Sequence, residues 1–471
     1  MMNVIGRTTT ARSLVAVFVG LAILAGSSAA QNEPPDVTEL LLKIKQLENR
    51  VYELETAPAD TGRSELETRI NALAESSGLA APDNALGGFF KNETNFETEA
   101  KDFKIKFGGR IDFDIIFNTQ DRALEQNFQH LEDGVNFRRT RLYMDVVVYK
   151  NIQAKIQLDF EDGAADFKDV FIRVNDVLSG GSLTFGQFKQ PFSLEELTSA
   201  KYITFIERAS PNVFATSRAT GIMYDNSFGE DDRIWFGISV YRESDAFGDA
   251  DVEPEVGDGD YAAGFRLTGL PLYEDGGETL IHLGISVAFQ NPNDETVRFR
   301  QRPETSIGPR LIDTGAFMAD DLFKFAVEAA LVLGPFSAQA EYFHVFVNSQ
   351  QMNDPDFWGG YLYLSYFITG EHRRYKNKDG AFDRVKPIEN WHDGSGGGGA
   401  WEIGLRGSYV DLNDERINGG ELLTLTFGLT WYWNPNTKVM FNYTYGNVDD
   451  FAVGVDDAEA HTLAIRFHID F

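Results

Sequence analysis

From Phe103 to the C-terminus, apolar and polar residues alternate with a period of two. Phe103, Ile105, Phe107, Ile111, Phe113, Ile115 and Phe117 interleave with Lys104, Lys106, Gly108, Arg110, Asp112 and Asp114. Successive side chains of a strand point to opposite faces, so this stretch predicts one long strand with an apolar and a polar side. Leu142, Met144, Val146 and Val148 repeat the pattern against Arg141, Tyr143 and Asp145. After Lys150–Asn151 it resumes, with Ile152, Ala154, Ile156, Leu158 and Phe160 against Gln153, Lys155, Gln157 and Asp159. Further runs lie near 168–174, 182–189, 220–225, 233–241, 261–268, 280–289, 322–333, 337–347, 358–368, 400–410, 421–432, 438–446 and 460–471, which makes sixteen predicted strands. In the run at 182–189 the alternation breaks near Gly186.

A soluble sandwich needs strands of about six residues. These runs reach ten or more, with Phe, Ile, Leu and Val on one face and fixed charge and Gly on the other. That is the pattern of a transmembrane barrel, and an open sheet edge has no place in lipid, so the sheet must close. The predicted fold class is all-β: a 16-stranded antiparallel transmembrane β-barrel over 103–471. Aromatics cluster near strand ends, among them Tyr149, Trp358, Trp391, Trp401, Trp431, Trp433 and Tyr443, as interfacial girdles would require. The last strand alternates to the terminal Phe471, which resembles the signal read by the outer-membrane barrel assembly machinery. With the C-terminus periplasmic, Lys150–Asn151, Gly334–Phe336 and Asn434–Thr437 are short turns on one side. The gaps at 119–135, 190–219, 242–260 and 290–321 are long loops on the other. One gap, 370–399, is long on the side that should be short, so either that turn is unusual or the strand count slips there.

Upstream the pattern changes. Arg7 and Arg12 precede the apolar run Leu14 to Ala25, and Ser28 and Ala30 precede a cut before Gln31. This predicts a secretory signal peptide over 1–30, with a run too short to span a bilayer. Val37, Ile44 and Val51 then fall at heptad position a, and Leu40, Leu47 and Leu54 at d, which predicts a coiled coil over 31–57. β-branched residues at a with Leu at d favour a dimer. Ser64 and Glu67 form a capping box for a short helix, and a Gly/Ala/Ser/Asn-rich linker completes 58–102.

Charge refines this picture. The 471 residues hold 42 Lys+Arg and 72 Asp+Glu, a net −30, and no Cys. A chain this acidic lacks a nucleic-acid footprint, and disulfide, thiol and zinc-thiolate chemistry are excluded. The acidity is local: residues 31–102 carry net −8 and the loop at 242–260 net −7. Positions with inward parity hold eleven basic and nine acidic residues, so the predicted lumen is close to neutral. The acidic stretch Asp245–Asp260 lacks EF-hand spacing and reads as a solvated loop rather than a Ca²⁺ site. The seven His show no metal-ligand spacing, and nothing points to a cofactor or to catalysis.

At this point the chain resembles the phosphate-selective porin O and P family. The residues that carry the likeness are FRRTRLYMDVVVYKNIQAKIQLDF at 137–160, GQFKQPFSLEELTSAKYITFIERA at 186–209, GEHRRYKNKDGAF at 370–382 and GAWEIGLRGSYVDL at 399–412. The resemblance implies a homotrimeric 16-stranded porin in outer-membrane lipid that takes small anions such as phosphate. It also implies a third loop folded inward as a constriction. That loop matches 190–219 and offers Ser199 and Lys201, with Arg208 and Arg218 near its return. Family members share a long segment ahead of Gly-Ala-Trp-Glu, which fits 370–399. Arg139 and Arg141 have inward parity; with Arg110, Lys155 and Arg173 they form a candidate basic ladder that passes an anion by weak, repeated binding. The competing reading pairs Arg139 and Arg141 with Asp112, Asp114 and Asp159, and Lys201 with Glu195 or Glu196. Arg298, Arg300 and Arg302 form either a basic rung at the mouth or an exposed loop face. Other functions compatible with the sequence are a non-specific or cation-preferring porin, an envelope tether to the cell wall through the coiled coil, and a soluble secreted all-β binding protein.

Overall fold

A computed structural model describes residues 86–90, 94–98, 100–127, 130–243, 261–292, 296–392, 394, 396–414, 416–451 and 457–471. The signal peptide, the coiled coil, the short helix and the acidic loop at 245–260 lie outside them.

Sixteen long strands form the wall. They are β1 (Phe103–Gln120), β2 (Gly134–Val148), β3 (Ile152–Asp159), β4 (Asp166–Val177), β5 (Gly181–Lys189) and β6 (Arg218–Phe228). Then come β7 (Ile234–Arg242), β8 (Tyr261–Glu274), β9 (Thr279–Gln290), β10 (Asp321–Leu333) and β11 (Phe336–Asn348). The last are β12 (Asp356–Phe367), β13 (Ala400–Asp414), β14 (Ile417–Asn434), β15 (Thr437–Phe451) and β16 (Ala458–Asp470). Each pairs antiparallel with its neighbours, and β16 closes on β1 with Ile465 opposite Ile115. The strands thereby form a closed ladder of hydrogen bonds, the arrangement that lipid requires.

The period-two pattern sorts the side chains. On β10, Phe323 and Val327 are exposed on the lipid side, whereas Lys324, Ala326 and Glu328 are buried on the inside. At Gly186 on β5 the alternation slips, as the sequence indicates. Its φ of +124° is open to glycine, and a Cβ there would lie 2.4 Å from the Val170 carbonyl oxygen. The slip lets Thr184 bond Arg173 while Gln187 and Lys189, further along, still line the interior.

The wall's seam has its own solution. β16 covers β1 only from Arg110 upward. A hairpin of Leu86–Phe90 and Thr94–Thr98 takes the edge below, with Thr94 opposite Phe107 and Glu97 opposite Lys104. Part of the segment read from sequence as helix and linker is therefore strand, recruited by an edge that would otherwise stay unpaired. Phe471 exchanges two backbone hydrogen bonds with Gly109, of 2.8 and 3.1 Å. A Cβ on Gly109 would sit 2.5 Å from the Phe471 ring, so that glycine makes room for the terminal aromatic.

Three long segments fold into the barrel: 190–217 after β5, 291–320 after β9, and 368–399 after β12. The strand count does not slip at 370–399; the unusual turn is real. The main hydrophobic core forms where the first two of these segments meet the wall. Phe192, Phe205, Phe214, Phe299, Leu311 and Phe317 pack on inward-facing Phe343, Val345, Phe357, Val410 and Leu422. The side of the lumen along β10–β15 is thus filled, and the side along β1–β6 is left open.

Candidate pore lumen

The inserted segments are held by inward polar residues of the filled side. A single helical turn, α1 (Leu194–Leu197), is capped by Ser193, whose hydroxyl accepts from the Glu196 amide at 3.1 Å. Glu341 on β11 accepts from the amides of Leu194 and Glu195 at 2.9 and 2.7 Å, and from the Tyr361 hydroxyl at 2.6 Å. Farther along the same loop, Thr204 donates to Glu402 at 3.2 Å, and Lys438 and Arg466 donate to the carbonyls of Ile203 and Ile206. Buried polar groups need such partners, and here the wall supplies them to a loop. The segment 291–320 is fixed through Glu304, which accepts from Arg406, Ser408, Thr424, Thr426 and the Ser210 amide. From the opposite end of the barrel, Arg373 of 368–399 donates to Gln339, and Arg384 pairs with Asp470 and donates to Tyr202.

The space that remains is a cavity of about 1080 Å³. Among the described residues, thirteen lysines and arginines and eight aspartates and glutamates line it. The four constriction candidates and the five of the basic ladder are among the lining residues: Ser199, Lys201, Arg208, Arg218, Arg110, Arg139, Arg141, Lys155 and Arg173.

The eight basic ones each lie beside a carboxylate. Arg139 is 3.2 Å from Asp112 and Arg141 is 2.6 Å from Asp159, as in the salt-bridged reading. Asp114, its third expected partner, goes instead to Arg466 at 2.6 Å. Arg110 lies 3.7 Å from Asp112, Lys155 3.8 Å from Asp145, Arg173 2.7 Å from Asp225 and Arg218 2.7 Å from Asp169. Lys201 pairs with Asp470 at 2.9 Å, not with Glu195 or Glu196. Those two are engaged elsewhere, Glu196 by Arg208 and Lys189 and Glu195 by Arg406. Ser199 accepts from the Lys201 amide at 3.4 Å.

Burial and charge compete at these loop groups. Burial would raise the Glu196 carboxyl, but Arg208 and Lys189 outweigh it and hold it down at about 2. Burial lowers the Lys201 ammonium below the usual lysine range, with Asp470 opposing. Burial also pushes the Tyr202 phenol up to about 12.

Parity alone misses several lining residues. Arg138 has outward parity, but Asp112 pairs with Arg139 and Phe113 with Phe137, so Arg138 is the extra residue of a bulge. It turns inward to Glu207 and Glu161 at 3.0 and 2.9 Å. An arginine at a lipid-facing position costs roughly 2–4 kcal/mol at mid-membrane, and that conflict is the signal in the sequence. Lys376 and Lys378 come from the inserted turn, which no strand pattern places inside. Arg298 pairs with Asp313 on an exposed loop face and Arg302 donates to the Gly308 carbonyl, so these two tie their own loop together.

Residues 103–471 match the family described as phosphate-selective porin O and P. An uncharacterized protein of Caulobacter vibrioides is 29% identical over 394 residues, covering 81% of this chain and 76% of that protein. Porin O of Pseudomonas aeruginosa is 25% identical over 417 residues, covering 79% of this chain and 89% of its own. In fold the chain is similar to the anion-selective porin from Comamonas acidovorans, with a TM-score of 0.50, 13% identity, and coverage of 78% of this chain and 100% of that one. It is likewise similar to the outer membrane channel DcaP of Acinetobacter baumannii, with a TM-score of 0.50, 12% identity, and coverage of 80% and 99%. With a closed 16-stranded wall and a family match that spans all of it, this chain belongs to the phosphate-selective porin O and P family.

Proposed function

We propose that the protein is an outer-membrane channel that prefers small anions, phosphate or related oxyanions among them, with the loop at 190–217 as its constriction. The observation that carries this reading is that thirteen basic and eight acidic side chains border the open cavity among the described residues, while Asp112, Asp159 and Asp470 pair with bordering cations from buried positions. The chain's net charge of −30 has the opposite sign, so the basic border is local to the passage.

The chemistry follows from the pairing. A guanidinium carries five N–H donors. Arg141 and Arg218 commit Nε to Asp159 and Asp169 while still lining the cavity, so each can offer other donors to a passing anion. The neighbouring carboxylate weakens that attraction. Conduction needs binding that is favourable enough to enter and weak enough to leave, and paired cations at successive depths supply it. The same pairing supports modest selectivity, closer to a general porin than to a tight phosphate trap. A homotrimer in outer-membrane lipid belongs to this proposal.

Lys201 stands on the constricting loop, so its charge is the one to remove. Lys201→Gln should lower the Cl⁻/K⁺ permeability ratio roughly three- to tenfold, the effect of one charge near the ion path at intermediate dielectric. Reversal potentials in planar bilayers would measure it. An unchanged ratio would mean that this ammonium does not act on permeating ions.

A further inference from the structure

The open cavity carries apolar surface that a passage for inorganic ions does not need. Phe171 on β4, Met223 on β6 and Leu197 on α1 line it and stay partly exposed. Elsewhere in the lumen, inward apolar side chains are covered: Phe343, Val345, Phe357, Val410 and Leu422 are buried beneath the inserted loops. Phe171 lies directly opposite Lys155 on the β3–β4 ladder. Lys155 lies 5.1 Å from the centre of the Tyr143 ring, and Lys201 lies 5.0 Å from the same ring. Phe171 and two ammonium groups therefore share one stretch of the cavity, and Met223 and Leu197 belong to the same lining. Singly exposed apolar residues are ordinary on a protein surface; several on one cavity, beside cations, form an amphipathic lining.

We propose that this stretch is a subsite for organic anions. A carboxylate or phosphonate is held by Lys155 and Lys201, and its aromatic or alkyl body lies on Phe171, Met223 and Leu197. The inference rests on the anion-channel reading above and narrows its substrate class. Inorganic phosphate uses only the charged half. Covering one face of a phenyl ring, on the order of 60 Å², is worth roughly tenfold in affinity.

The test uses the full-length channel in planar bilayers, with chloride current titrated by phenylphosphonate and by methylphosphonate at the same pH. Phenylphosphonate should reduce the current at about one-tenth the concentration that methylphosphonate needs. The variants Phe171→Ala and Met223→Ala should each bring the two closer together while leaving the methylphosphonate titration in place. Their chloride conductance shows that the barrel has formed. Equal block by both phosphonates in the wild type, or a difference that survives in both variants, would overturn the subsite and leave the anion preference standing. Cation preference in the same bilayers would overturn both.

Discussion

Glu304→Ala is expected to widen the channel and make its open current noisy. Glu304 is buried, and one oxygen accepts from Ser210, Ser408 and Thr424 at 3.1, 2.7 and 3.0 Å. The other accepts from Arg406 at 3.1 and 2.5 Å and from Thr426 at 2.6 Å. Ser210 belongs to the loop at 190–217, and Ser408, Thr424, Thr426 and Arg406 belong to β13 and β14. One carboxylate thus ties two inserted loops to the wall. Its removal leaves the fully buried Arg406 with Glu195, at 3.5 Å, as its remaining carboxylate neighbour. Breaking a buried pair in this way costs roughly 3–5 kcal/mol. The strand ladders do not depend on Glu304, so the barrel persists and the loops loosen. Single-channel recording should show conductance higher by about twofold and larger open-state fluctuations. A wild-type trace would mean that the hydrophobic core around Phe205, Phe214 and Phe299 holds the loops unaided.

Arg384→Ala has its main effect at the other end of the barrel. Arg384 pairs with both oxygens of Asp470, donates to the Pro435 carbonyl and lies 5.2 Å from the Tyr202 ring. It is the point where the inserted turn at 368–399 meets both the last strand and the loop at 190–217. Asp470 keeps Lys201 and His468 when Arg384 is gone, so the loop stays docked and the turn is released. The loss of a bidentate pair this buried is on the order of 3 kcal/mol. Local opening governs proteolysis of such segments. Trypsin cleavage at Arg373, Arg374, Lys376 or Lys378 in detergent-solubilised protein should accelerate by about tenfold or more. Cleavage at the wild-type rate would show that Arg373 and the edge-to-face contact of the Tyr375 and Phe382 rings, with centroids 5.3 Å apart, are enough to hold the turn.

The wall is legible in the sequence because lipid on one side and water on the other force a period of two on every strand. That rule also points Arg139, Arg141, Lys155 and Arg173 toward the lumen. It fails where the backbone departs from a regular strand. Arg138 reads as lipid-facing because a bulge shifts its parity, and Gly186 interrupts β5 because its conformation resets the alternation. The inserted segments follow no period. Irregular backbone is allowed inside the barrel once its hydrogen bonds are met, so no strand or turn pattern marks 291–320 or 368–399 as interior. Of the groups that fasten the inserted segments, Glu341 and Glu402 look in the sequence like counter-charges in a tally of inward positions, and Glu304 like an ordinary loop acid. Only their bonds to loop amides, hydroxyls and guanidinium groups identify them as fastenings.

The near-balance of inward charges read along the strands also changes meaning once the interior is filled. Arg266–Glu328 and Arg406–Glu304 are paired in buried ground along the packed side. Around the open space the border is set by a different group, thirteen basic and eight acidic side chains drawn from strands and inserted loops together.

The sign of the reversal potential of the wild-type channel, in planar bilayers under a KCl gradient, tests this most directly. An anion-preferring potential is expected, and it should weaken as salt rises and screens the cavity. A cation-preferring potential would contradict the account, because it would mean that the eight carboxylates of the cavity, and not its thirteen cations, govern the ions that pass.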